Sequence, residues 1–214
     1  MRGNGGDFKA AVDMIARNGG NRYFPARMNK PLAPMTPESA AKARFSKEEF
    51  LAMASLGAFD DMSIELVDGE LERMNPPMSE HGRLQGELTY LLRHALAGTS
   101  MVVLGETGID LGGQTVRSCD AAVLSAPLDE NRLLRPDDVA LLIEIGLTTV
   151  ERDMGAKRID YARAGVRHYW VVDGERRVVH LFAEPLNGDY ADVRSIKFGA
   201  PLTVPGSDRV LILG

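Results

Sequence analysis

Residues 139–147 read VALLIEIGL, a run in which every residue but one is apolar or glycine. Such a run belongs in a central strand, so the chain must build a sheet with other material packed around it. The exception is Glu144. An ionised carboxylate without partners is costly to bury, so Glu144 must be protonated, paired, or bound to a cation. Asp120 repeats the anomaly inside SCDAAVL. Two carboxylates on adjacent central strands repel by roughly 4 kcal/mol at 4 Å and an effective dielectric of 20. A divalent cation between them reverses that sign, and oxygen ligands of this kind suit Mg²⁺ or Mn²⁺. Structural carboxylates satisfied by arginines or backbone amides are the other reading, and the local sequence does not choose between the two.

The rest of the chain supplies elements for a mixed α/β sheet flanked by helices. Ser46 and Glu49 have capping-box spacing ahead of Phe50. SIELVDGELERM reads as a hairpin about Asp68-Gly69, because both central positions of a type I′ turn need positive φ. Ser79 is expected to cap a long helix running to about Gly98, with Leu84, Leu88, Leu91, Ala95 and Leu96 as its buried stripe. Strands are predicted over 101–111, 115–124 and 139–145, the first two joined at Gly112-Gly113. A helix follows, then strands over 169–173 and 177–182, and beyond Tyr190 short strands broken by prolines. The order α-β-β-β-α-β, with extra strands at both ends, is not a strict βαβ repeat.

Residues 1–42 read as a basic, partly irregular extension, and residues 43–214 as one domain. The extension holds seven Lys/Arg against three Asp/Glu, and the remainder eighteen against twenty-seven. A tight polyanion binder usually shows a basic footprint, so any nucleic-acid role must rest on a local patch, on metal ions, or on the extension. The single cysteine, Cys119, excludes an intrachain disulfide and a thiolate-cluster metal site. No run approaches the roughly 18 apolar residues of a membrane span and no signal-peptide core is visible, so no membrane role and a cytoplasmic location are expected.

In ERDMGAKRIDYARAGVRHYWVVD, residues 151–173, Asp153, Lys157 and Tyr161 recur at steps of four. Residues so spaced share a helix face. Because this helix follows the Glu144 strand, the row can be turned toward the carboxylates, where a lysine would neutralise charge on a phosphate or position an attacking water. From residue 48 onward the chain has fourteen arginines and two lysines, Lys157 and Lys197. The plainer reading is an exposed Asp153–Lys157 ion pair, contributing about 0.3–0.5 kcal/mol.

A strand Asp, a Glu in the next strand and then a Lys resemble the PD-(D/E)XK nuclease superfamily. More specifically, IELVDGELERMNPP, EHGRLQGELTYLL, SCDAAVLS, LLIEIGLTT and RDMGAKRIDYARAGVRHYWVVD resemble the Uma-two family of restriction-endonuclease-like proteins, over about residues 44–182. The resemblance implies a restriction-endonuclease-like core and Mg²⁺- or Mn²⁺-dependent hydrolysis of phosphodiester bonds in nucleic acid, DNA being the expected substrate and a homodimer an admissible assembly. It implies Asp120 and Glu144 as metal ligands, the Ile145 carbonyl as a third, and Lys157 as the motif's lysine supplied from a helix. His81 and Tyr161 would contact substrate; for His81 a hydrogen-bonded boundary position is the alternative. Glu65 or Glu70 would approach the metals from the hairpin. The chain departs from the superfamily pattern at Gly146, where the pattern has lysine, and at Cys119, where it has proline. The rival function is a nuclease-like scaffold that has lost catalysis and serves as a binding or assembly module. Cys119, Tyr169 and Trp170 read as core residues.

Overall fold

The computed structural model describes residues 43–147 and 150–214, so the extension expected over residues 1–42 lies outside it. Helix α1 (Lys47–Ser55) opens on the expected capping box, with Ser46 Oγ accepting from Glu49 N–H and the Glu49 carboxylate from Ser46 N–H. Strands β1 (Ile64–Val67) and β2 (Glu70–Arg73) form the expected hairpin, and Asp68 and Gly69 both have positive φ. Helix α2 spans Ser79–Ala95. Its cap is Met78, without a side-chain bond, so Ser79 is the first helical residue and not the cap. The α2 stripe runs Leu84, Leu88, Leu92 and Leu96, all buried, while Leu91 and Ala95 are only partly covered. Steps of four drift by about 40° each on a helix of 3.6 residues per turn, so the buried line winds toward Leu92 and Leu96 and leaves Leu91 and Ala95 at its edge, packed against the same core.

Two predicted strands each divide in the structure. Residues 101–111 become β3 (Val102–Leu104) and β4 (Thr107–Asp110), and residues 115–124 become β5 (Val116–Cys119) and β6 (Ala121–Leu124). The hairpin bends at Gly105-Glu106 and at Asp120, so β4 and β5 join one sheet and β3 and β6 the other. The four-stranded sheet has the order β2-β1-β5-β4. The second, six-stranded sheet continues through β7 (Val139–Gly146), β8 (His168–Asp173), β9 (Val178–Leu186) and β10 (Asp189–Lys197), in the order β10-β9-β8-β7-β6-β3. Only β7 and β8 pair in parallel among these strands. A final hairpin joins β11 (Pro201–Thr203) to β12 (Val210–Ile212). The tail therefore differs from the short broken strands expected beyond Tyr190. Asn187-Gly188, both at positive φ, make a tight turn between two nine-residue strands, and Pro185 is tolerated near the end of β9.

Strand β7 is buried on both faces. Leu141, Ile143 and Ile145 pack with the α2 stripe, Trp170 and Val172. Leu142 packs on the other side with Val166, Tyr169, Val171 and Phe182, and with Tyr161 and Ala162 of helix α3 (Arg158–Ala164). Strand alternation places Glu144 on that second side, facing the helix. Among the described residues no helix is long and apolar enough to cross a membrane. Leu92 is 0 % exposed and Leu91 partly exposed. Urea denaturation is therefore expected to show Leu92→Ala losing about 2–5 kcal/mol, the range for a buried leucine, and Leu91→Ala distinctly less.

Candidate active site

The segment before α3 is not a plain α-helix. A turn over Val150–Arg152 leads into a π-helical stretch, Asp153–Lys157, and α3 continues from it. Such single-turn widenings reset which side chains face a neighbouring surface. Here Asp153 and Lys157 are both buried. Lys157 is only 3 % exposed, so the reading of an exposed ion pair on a solvated face is wrong. Its Nζ donates to Glu144 Oε1 at 2.9 Å and to the Ser118 carbonyl at 2.9 Å, and lies 3.3 Å from Glu65 Oε1. Tyr161 Oη donates to the same Glu144 oxygen at 2.7 Å. Tyr161 is 0 % exposed, so it sits behind Glu144, where it can orient that carboxylate but not touch a substrate.

Glu65 is the acid of the hairpin that reaches this point; Glu70 lies away from it, near Arg44. Burial opposes the ionisation of Glu65, but Lys157, Arg117 and the Ser118 N–H together hold its carboxyl below the usual range. Arg117, 1 % exposed, donates to Glu65 Oε2 at 2.8 Å and to Asp160 Oδ2 at 2.6 Å, and approaches Glu72 at 3.2 Å. Arg152 donates to the same Glu65 oxygen at 2.6 Å. Glu65 is thus saturated by cations and an amide, the condition under which a buried carboxylate stays charged. Neither arginine was singled out from the sequence. The available signal was Arg117 alternating with apolar residues in Val-Arg-Ser-Cys, a strand position whose neighbours are buried.

Asp120 occupies the corner between the sheets. Its N–H donates to the Ile143 carbonyl, and its Oδ2 accepts from Ile145 N–H at 2.7 Å. His81, in the first turn of α2, brings Nε2 to 3.2 Å from that oxygen. The bond to Asp120 raises the imidazole's pKa despite partial burial, favouring the doubly protonated ring. Its Nδ1 is buried without a hydrogen-bond partner among the described residues. Gln85 donates to the Asp120 carbonyl at 2.8 Å. In an extended strand the N–H and C=O of one residue lie on the same edge, so the Ile145 carbonyl shares the edge that its N–H presents to Asp120.

Asp120, Glu144, Ile145, Lys157 and His81 line one pocket of about 410 Å³, with Arg152 beside them. The structure therefore gathers the sequence-predicted residues, with Tyr161 directly behind. Burial pushes the Glu144 carboxyl up to about 8, against the pull of Lys157 and with the help of Asp120. Burial also disfavours the charge of Lys157, yet Glu144 and Glu65 hold its ammonium above the ordinary value. Among the described residues no three His, Cys, Asp or Glu side chains form a ready-made metal cluster. Asp120, Glu144 and Ile145 bring two carboxylates and a backbone carbonyl together on a lining that also includes Glu65, Glu106 and Asp153. That all-oxygen set fits a hard divalent cation, and Glu144 gains from one because its charge is poorly compensated.

The departures at Gly146 and Cys119 have structural reasons. A Cβ at 146 would lie 2.6 Å from Val150 Cγ2 and 3.0 Å from Val150 backbone atoms, so the strand cannot carry a lysine there without shifting the helix start. Lys157 reaches the acids from the helix instead. Cys119 is buried with Sγ 3.5 Å from the Thr107 carbonyl, and burial pushes its thiol well up, making it the inert core residue expected. Tyr169 and Trp170 are likewise core.

A family model described as "Uma2: Putative restriction endonuclease" matches residues 47–208. A solved structure, titled a "putative nuclease belonging to DUF820" from Anabaena variabilis, is similar with a TM-score of 0.61 and 14% sequence identity. The match covers 75% of this chain and 89% of that one, a likeness of fold. No curated protein matches.

The raised Glu144 pKa fixes a sign. Its folded value, about 8, lies above the ordinary 4.5, so the folded state holds this proton more tightly than the unfolded chain. The stability it contributes is present below pH 4.5 and lost as pH rises through 8. In EDTA, the unfolding free energy of wild type minus that of Glu144→Gln is expected to fall across that window. A difference that rises with pH would make Glu144 a structural ion-pair member.

Proposed function

The chain belongs to the Uma2 family of restriction-endonuclease-like proteins, and from that premise we propose that it is a Mg²⁺- or Mn²⁺-dependent endonuclease hydrolysing phosphodiester bonds in DNA. The observation that carries the reading is a buried lysine, Lys157, held against Glu144 on the wall of a pocket that also presents Asp120 and the Ile145 backbone. Asp120, Glu144 and the Ile145 carbonyl would hold the cation. When bound, such an ion supplies a Lewis acid that activates water and neutralises charge on the phosphoryl group.

The chain's own residues do the remaining work. Lys157 supplies a compact ammonium beside the reacting phosphate, and Glu65 with the Ser118 carbonyl fixes its position. Tyr161 holds the Glu144 carboxylate in one rotamer. His81, whose pKa its bond to Asp120 raises, stands at the helix start where it can meet a phosphate oxygen. Arg152 adds a further, partly exposed cation on the same wall. The lining residues Glu65, Glu106, Asp120, Glu144 and Asp153 outnumber the cations His81, Arg152 and Lys157. A bound cation would offset the acidic lining toward an anionic substrate, which is how an acidic body can act on DNA.

Cleavage of a mixed panel of single- and double-stranded DNA in Mn²⁺ tests the reading. Lys157→Arg and Lys157→Met are each expected to lose at least about 100-fold in rate, near the lower end of acid–base contributions, in preparations shown by circular dichroism to be folded, since unpairing the buried carboxylates costs about 3–5 kcal/mol. Guanidinium is larger and planar and cannot occupy the ammonium's place between two carboxylates. Wild-type cleavage together with a fully active Lys157→Arg would remove the lysine from the mechanism. Absence of any Mn²⁺-dependent cleavage by wild type would favour the scaffold reading.

A further inference from the structure

The open ends of the two main sheets are not alike. Strand β3 has three residues, and Arg93 Nη2 already occupies its Val103 carbonyl at 3.3 Å. The outer side of β4 is covered by the Leu134 segment, through Asp110 N–H to Leu134 O at 2.9 Å and Leu134 N–H to Gly108 O at 3.0 Å. Strand β2 has four residues, and its Glu72 is drawn to Arg117 and Arg152. Strand β10 ends the six-stranded sheet with nine residues and no proline, and no other strand among the described residues pairs with its outer edge. A long edge of this kind is a template for another strand, and proteins usually blunt it.

The sequence of β10, Asp-Tyr-Ala-Asp-Val-Arg-Ser-Ile-Lys, is self-complementary when read against its own reverse. Two copies paired antiparallel about Val193 put Asp192 opposite Arg194 and Asp189 opposite Lys197, on both sides of the two-fold axis. Val193, 52 % exposed, meets its own counterpart at the centre. Protective charges on an edge would repel a second copy; these attract one. Within one chain Arg194 donates to Asp192 at 2.8 Å, but both side chains reach solvent, so that pair is weak and exchanges readily for a cross-strand one. Asp189 has a similar exposed pairing with Arg158.

We propose that β10 is a homodimer surface, joining the six-stranded sheets of two copies edge to edge by isologous antiparallel pairing centred on Val193. The register makes a specific demand. Asp192→Arg places arginine opposite Arg194 at both ends of the interface, and Arg194→Asp places aspartate opposite Asp192. Each single variant of the full chain, checked for wild-type circular dichroism, is expected to dimerise at least about tenfold more weakly than wild type in sedimentation velocity, because two favourable cross-strand pairs become repulsive. An equimolar mixture of the two variants restores opposite charges at both ends and is expected to sediment as a heterodimer. The Asp192→Arg/Arg194→Asp double variant recovers the homodimer. A monomeric wild type, single variants that dimerise like wild type, or a mixture that stays monomeric would each overturn the proposal. So would hydrogen-exchange protection of the outward-facing β10 amides, those not bonded to β9, in a protein that sediments as a monomer, since another segment would then occupy the edge.

Discussion

The candidate site depends on one buried ammonium. Lys157 lies within 3.3 Å of two carboxylates, Glu144 and Glu65, that come from different sheets and are themselves almost fully covered. Taking such charges out of water costs several kcal/mol per ion, and mutual attraction offsets that only if the remaining lone pairs are satisfied. Around Glu65 the network is complete, with Arg117, Arg152, Ser118 N–H and Lys157 all engaged. Around Glu144 it is not: Lys157 and Tyr161 both bond Oε1, and the carboxyl remains hard to ionise. One acid is thus a fixed anchor and the other retains an appetite for positive charge. The proposed cation binding rests on that asymmetry.

The fold builds the asymmetry with two irregularities. The bend at Asp120 lets one continuous hairpin serve both sheets, bringing Glu65 of the four-stranded sheet close to Glu144 of the six-stranded one. It also frees the Asp120 carboxylate to close the gap at Ile145 N–H, where regular pairing between β6 and β7 has stopped. The π-helical stretch then turns Asp153 and Lys157 inward before α3 resumes a regular register. With Gly146 pressed against Val150, no shorter route exists for a lysine from β7. A straight strand at 120 or an unbroken α-helix at 153–157 would separate the groups.

Much of this was legible in the residues themselves. A carboxylate in VALLIEIGL and another in SCDAAVL are conflicts between side chain and environment, and both line the candidate pocket. Turn chemistry at Asp68-Gly69 and Gly112-Gly113 and the Ser46–Glu49 capping box are local signals, and the structure carries each of them. What local pattern could not show was the pairing of distant charges. Glu65 looks like an ordinary hairpin acid until Arg117, fifty-two residues later, is folded over it. The sheet-to-sheet bends at Gly105-Glu106 and Asp120 were hidden because neither carries a proline or a turn pair like Gly112-Gly113. The β9–β10 hairpin did have a local signal, Asn187-Gly188, both at positive φ, which lies just before the stretch read as short strands.

The most direct measurement is anomalous diffraction from crystals of the wild-type protein soaked in Mn²⁺. The account predicts a manganese peak within coordination distance of the Asp120 and Glu144 carboxylates and the Ile145 carbonyl, with Lys157 still on Glu65 and the Ser118 carbonyl. A pocket without a peak at saturating Mn²⁺, with Glu144 bonded only to Lys157 and Tyr161, would contradict it and leave the buried lysine a purely structural counter-ion.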